Sequence, residues 1–239
     1  MTSLNSDWLI EAKSLTKNYG PHVALDNVDI QLPHGSIGLL GPNGAGKSTL
    51  IKTLLGLIQI TSGEGTVLGH DIRSEGDTIR SKIGYMAEYD TLNPDLSAVD
   101  QVRYSGELLG MSPVVANQRT HEVMEYVGLR DQRYRKIGTF STGMQQSTKL
   151  ACAIIHDPEV LILDEPTVGI DPLQVVQTKE LIRELGQKRT ILLSSHILPE
   201  VKLVCERVII INKGKIVAEE DIGKLSKLLK SKQKLRLFY

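Results

Sequence analysis

Gly41-Pro42-Asn43-Gly44-Ala45-Gly46-Lys47-Ser48 sets three glycines, a lysine and a hydroxyl in the order G-x-x-x-x-G-K-S. Such a loop can wrap an anion with inward-pointing N–H groups, because glycine tolerates the backbone angles that the wrapping demands. It follows the apolar run Ile37-Gly38-Leu39-Leu40 and opens a helix-like segment, Ser48 to Ile58. A helix N-terminus adds partial positive charge on the same side. Lys47 can reach the β- and γ-phosphates, and Ser48 can hold Mg²⁺. The chemistry indicated is binding of a nucleoside triphosphate.

A second group of residues supplies charge where hydrolysis needs it. Val160-Leu161-Ile162-Leu163 ends in Asp164-Glu165, two carboxylates at the carboxyl end of an apolar strand, where α/β sheets place ligand chemistry. Asp164 can assist Mg²⁺, and Glu165 can orient a water towards the γ-phosphate. His196 follows Thr190–Ser195 and emerges at another strand end, able to hydrogen-bond a γ-phosphate oxygen and that water. Ser141, before Thr142-Gly143-Met144-Gln145-Gln146, is an N-cap for a helix running to about Ile155. A hydroxyl and a glycine exposed there make a second anion site, which suggests that this helix faces a triphosphate held by another subunit.

The elements that must position these groups alternate along the chain. Trp8–Ala12 and Val28–Leu32 read as strands separated by Asn18-Tyr19-Gly20-Pro21, and Thr61–Gly65 reads as a turn before a strand at Thr66–Leu68. Ile83–Met86 is another strand. Between 97 and 135 the apolar spacing becomes helical, broken at Met111-Ser112-Pro113, and marks an inserted lobe. Val160–Leu163 and Ile191–Leu193 read as parallel strands buried on both faces, and 207–211 with 216–218 as an antiparallel hairpin. The expected fold is α/β, with a mostly parallel nucleotide-binding core (1–96 and 136–220), an antiparallel N-terminal region, a helical lobe (97–135) and a basic tail (221–239).

Composition narrows the partners. The 239 residues carry 28 basic and 28 acidic side chains, so no global charge points to nucleic acid. Six basic residues and no acidic one lie between Lys224 and Arg236, a solvated helix face or a contact for anionic lipid or an acidic partner. Cys152 and Cys205 lie outside any metal spacing and read as small buried hydrophobes. No apolar stretch approaches the roughly 20 residues needed to cross a bilayer, so a membrane role is expected to run through another polypeptide.

The chain resembles the nucleotide-binding subunit of an ABC transporter from about Leu9 to Glu220. The family's aromatic A-loop residue, phosphate loop, Q-loop, L-S-G-G-Q signature, h-h-h-h-D-E motif, D-loop and switch histidine find counterparts, in that order. These are Tyr19, Gly41–Ser48 with Thr49, Glu88, Ser141–Met144, Asp164-Glu165, Asp171 and His196. The resemblance implies a head-to-tail dimer, with itself or a related ATPase subunit, binding two ATP with Mg²⁺. Each ATP would lie between Lys47 and Ser48 of one subunit and Ser141 and Gly143 of the other. Asp171 would couple the two sites, and Tyr19 would stack on adenine, a contact worth about 1–3 kcal/mol by analogy with base stacking.

Two positions depart from the family pattern. Glu88 stands where glutamine is usual, and Phe140-Ser141-Thr142-Gly143-Met144 replaces L-S-G-G-Q. An acid at position 88 resembles the branch that works with separate transmembrane permease subunits in export, at the cytoplasmic face of the membrane; a carboxylate there can still bind Mg²⁺. A non-transport ABC ATPase and a low-turnover module that binds and closes stay open as alternatives. Ribosome-acting relatives carry two modules in one chain and DNA-repair relatives long coiled-coil insertions, features for which 239 residues leave no room.

Overall fold

The computed structural model describes residues 8–89 and 91–225. Its elements in chain order begin with β1 (Ile10–Tyr19), β2 (His22–Leu32), β3 (Ser36–Leu40), α1 (Lys47–Leu54), β4 (Ser62–Val67), β5 (His70–Asp71) and α2 (Gly76–Lys82). Then come β6 (Ile83–Met86), α3 (Ala98–Leu108), α4 (Pro113–Tyr126), two short 3-10 turns, α5 (Thr142–Ile154) and β7 (Val160–Asp164). Next come α6 (Pro172–Gly186), β8 (Thr190–Ser195), α7 (Leu198–Val204), β9 (Arg207–Asn212) and β10 (Lys215–Asp221). The described residues fall into two compact units, 8–76 with 192–225 and 77–191.

In the first unit β1 and β2 form a long antiparallel hairpin, joined by β4 and β5 in the order β2-β1-β4-β5. Alternation explains the hairpin: along β2, Val28, Ile30 and Leu32 are buried while the residues between them face solvent. The same unit holds β10, β9 and β3 with the greater part of β8, with β3 parallel to β9 and β9 antiparallel to β10. Helix α1, whose Leu50, Ile51 and Leu54 are buried, follows β3 through the phosphate loop.

The second unit pairs β6 with β7 in parallel, Ile83 opposite Val160 and Met86 opposite Leu163. All five residues of β7 are buried. Val160–Leu163 contribute roughly 1.5–3 kcal/mol each by leaving water, which offsets part of the cost of carrying carboxylates at the strand's end. Helices α3, α4 and α5 pack on one another, and the expected helical lobe lies inside this unit.

Three expected boundaries move. The segment Thr61–Gly65 is not a turn ahead of the strand, because β4 begins at Ser62 and pairs with β1 from Thr16 to Ile10. Helix α1 stops at Leu54 and not near Ile58, since Gly56 takes a left-handed φ of 62° and the amides of Leu57 and Ile58 turn back to the Lys52 carbonyl. Residue 221 closes β10 and so belongs to the sheet; of the expected basic tail only 221–225 are among the described residues, and most of its lysines lie outside them.

Candidate functional site

The first unit builds the phosphate loop on backbone geometry. Gly44 and Gly46 adopt φ of 77° and 107°, and a Cβ on Gly46 would lie 2.8 Å from the Ala24 carbonyl oxygen. Ala45 is buried, its amide donates to Pro42 O at 3.1 Å, and its carbonyl accepts from the Gly214 amide at 2.8 Å. Pro42, Asn43 and Gly44 are left exposed at the loop's crest.

Helix α1 starts from Gly46 without a side-chain cap and without an acidic residue in its first turn. The field of this N-terminus is therefore not met by the helix's own side chains, with Lys47, Ser48 and Thr49 at its start. Lys47 is only 6% exposed, and its ammonium donates to the carbonyls of Gly41 at 2.8 Å and Pro42 at 3.4 Å. The cation thus closes over the loop that an anion would occupy.

The loop and His196 come together in this unit. The Gly41 amide donates to the Ser195 carbonyl at 3.3 Å, immediately before the exposed His196. The Ser195 hydroxyl accepts from the Ile197 amide at 3.1 Å and donates to Glu200 at 3.2 Å, which sets the turn that carries the imidazole. Tyr19 ends β1 with 48% of its surface exposed, and the Lys17 ammonium stands 4.8 Å from its ring centre. An exposed, cation-backed ring is free to take a flat partner on its other face.

The second unit carries the acids. Asp164 is 1% exposed, and its Oδ1 has no hydrogen-bond partner among the described residues. An unmatched buried carboxylate oxygen is costly unless a cation meets it. Glu165, 3% exposed, has a left-handed φ of 50°, a conformation that costs about 1–3 kcal/mol. Glu88 follows β6 and is half-buried. Burial pushes the Tyr85 phenol well above its ordinary range, and the charges of Asp164 and Glu88 push the same way, so both acids lie within electrostatic reach of one ring.

The signature segment departs from expectation. Ser141 does cap α5 and is exposed, but its Oγ accepts from the Met144 amide at 3.3 Å. Gly143 is not exposed: it is buried beneath Gln174, whose Oε1 would lie 1.8 Å from a Cβ placed there. The reason lies one helix away. Asp171 caps α6, its Oδ1 accepting from the amides of Leu173 at 3.1 Å and Gln174 at 3.0 Å, and that first turn delivers the Gln174 amide onto Gly143. Neither the capping role of Asp171 nor the cover supplied by Gln174 is visible in the motif pattern.

The described residues contain no cluster of three or more His, Cys, Asp or Glu side chains able to hold a metal by themselves. Mg²⁺ does not require one, since it commonly takes one or two carboxylates and completes its shell with phosphate oxygens and water. The orphaned Asp164 oxygen fits that pattern.

The sequence pattern of the family described as "ABC transporter" matches residues 25–168, more than half of the chain. The linearmycin resistance ATP-binding protein of Bacillus subtilis (strain 168) is 39% identical over 88% of this chain and 68% of its own length. The daunorubicin/doxorubicin resistance ATP-binding protein of Streptomyces peucetius is 37% identical over 93% and 68%, and the bacitracin transport ATP-binding protein of Bacillus licheniformis 38% over 92% and 72%. Among solved structures, the ATP-binding subunit of an ABC transporter superposes with a TM-score of 0.82 at 28% identity, covering 93% of each chain. The dimeric structure of a bacterial ABC transporter cassette gives 0.82 at 25% identity, covering 89% of this chain and 98% of that one. The chain belongs to the ABC transporter family as its ATP-binding subunit, and it is an ATPase. No helix among the described residues is long and apolar enough to cross a membrane.

Proposed function

We propose that two copies of this chain, or one copy and a related subunit, close head-to-tail on two ATP molecules, and that the cycle drives export through a separate transmembrane permease. The observation that carries this reading is that the chain has two helix starts suited to an anion, the uncapped one at Lys47 and the signature helix that opens at the exposed Ser141. Resistance and transport proteins among the relatives support export, and the dimeric cassette supports pairing of copies. The working place is then the cytoplasmic face of the membrane, with contact to the permease through the helical lobe and the Glu88 loop.

In this reading the loop amides and Lys47 bind the β- and γ-phosphates, and Tyr19 stacks on the adenine. Ser48, Asp164 and Glu88 would hold Mg²⁺, which when bound supplies charge neutralisation at the phosphates. Glu165 orients the attacking water and takes its proton, while His196 hydrogen-bonds the γ-phosphate. Ser141 and Gly143 of the opposite copy complete the phosphate contacts once Gln174 moves aside. Asp171 couples the two sites.

Glu165→Gln keeps the side chain's shape and removes its charge. ATP should still bind, an ATP-bound dimer should accumulate, and hydrolysis should fall by about 10²–10⁴. Unchanged turnover removes Glu165 from the reaction. A wild type that binds and closes with little steady-state turnover supports the regulatory alternative instead.

A further inference from the structure

Lys149 is a cation that the proposed reaction does not use. It lies in the body of α5, two turns beyond the signature, and is only 5% exposed. A buried ammonium is expensive unless its donors are met, and here it donates to the main-chain carbonyls of Glu88 at 3.0 Å and Ala87 at 3.4 Å. One turn earlier on the same helix, the buried Gln146 donates through Nε2 to the carbonyl of Val168 at 3.3 Å. Val168 lies midway between Glu165 and Asp171. Residues three apart share a helix face, so one face of α5 holds by the main chain two loops that carry site residues.

We infer that Lys149 is a positioning residue for Glu88, tying the loop after β6 to the helix that begins at Ser141. The inference rests on the proposed role of Glu88 at the Mg²⁺ site. Because these two hydrogen bonds are to carbonyl oxygens, they act directly on the backbone of residues 87 and 88. A displacement of α5 on closure is then passed to the Glu88 loop through a fixed link. Lysine suits the task because four methylenes span the gap and its compact head presents several donors to adjacent carbonyls.

The test compares the full-length wild type with Lys149→Met, which keeps the length of the stem, and Lys149→Arg, which keeps the donors. Amide hydrogen exchange without nucleotide should be about tenfold faster at residues 86–89 in the Met variant and within about twofold of wild type in the Arg variant. Exchange at residues 41–48 should stay unchanged in both. In ATPase assays at fixed ATP, the half-saturating Mg²⁺ concentration should rise about tenfold for Met and be restored by Arg, while binding of ATP in EDTA stays within about twofold. If Lys149→Met does not fold, Lys149→Gln should give intermediate exchange in the same window.

Wild-type exchange at 86–89 in the Met variant overturns the inference, as does loosening spread evenly over α3, α4 and α5, which would make Lys149 a packing residue. A wild type that fails to hydrolyse ATP strikes the ATPase assignment instead, and leaves the nucleotide-free exchange result standing.

Discussion

Two helix starts in this chain are built in opposite ways. Helix α1 begins at a glycine with left-handed φ, carries no side-chain cap and follows a loop whose own lysine folds over it. Helix α5 begins at Ser141, whose hydroxyl accepts from Met144, and its Gly143 lies under Gln174. The first is preformed by backbone sterics. The second is kept closed by side chains that can swing away. A site of the first kind needs no change of backbone to take its ligand, only a turn of the Lys47 side chain, whereas one of the second waits for an incoming phosphate to displace its cover.

Substitutions at the two glycines should separate these designs most sharply. At Gly46 an added methyl meets both a left-handed φ of 107° and a backbone carbonyl at 2.8 Å. Gly46→Ala should therefore cost about 2–4 kcal/mol in urea unfolding and lower ATP affinity by more than tenfold. At Gly143 the obstacle is the end of a flexible side chain, and alanine favours a helix by up to about 1 kcal/mol. Before that milder case comes Asp171→Ala, which removes the cap of α6 and should cost about 1 kcal/mol. Gly143→Ala itself should change stability by less than about 1 kcal/mol. The double variant with Gln174→Ala should be more stable than the two single effects predict, read as a thermodynamic cycle. An additive result would mean that Gln174 does not cover Gly143 in solution.

The smallest effect is expected just beyond the far end of α5, at His156. Burial lowers its affinity for a proton from the ordinary value of 6.5. The unfolded chain then binds more protons than the folded one below that value, so stability should fall as pH drops from 7 towards 5.5. His156→Asn should lessen this slope in urea midpoints while leaving ATP binding at the phosphate loop unchanged.

The same contrast explains what could be read before the structure. The phosphate loop was legible because backbone sterics demand glycine at fixed spacings, and β7 because a strand buried on both faces must be apolar throughout. The β6, β8 and hairpin assignments rest on the same kind of local pattern. Misreadings arose where glycine had two meanings: Gly63 and Gly65 suggested a turn yet lie within β4, where β1 pairs through a register shift. Gln174 over Gly143 and Lys149 at the Glu88 carbonyl were invisible, since each joins residues more than 30 positions apart through a side chain whose neighbours give no periodic signal. The strained φ of Glu165 likewise leaves no mark in composition.

If the exposed Ser141 serves the phosphate loop of another copy, mixed dimers should regain part of the activity that each variant lacks. Ser141→Arg and Lys47→Ala chains, each inactive alone, are combined in equal amounts, so that about half of the dimers contain one of each. Such a dimer has one site with both defects and one with neither. ATP hydrolysis should recover to at most about a quarter of wild type, with one ATP retained per mixed dimer when Glu165→Gln is added to both chains. No recovery of either hydrolysis or retained ATP, with mixed dimers shown to form, would contradict that role of Ser141.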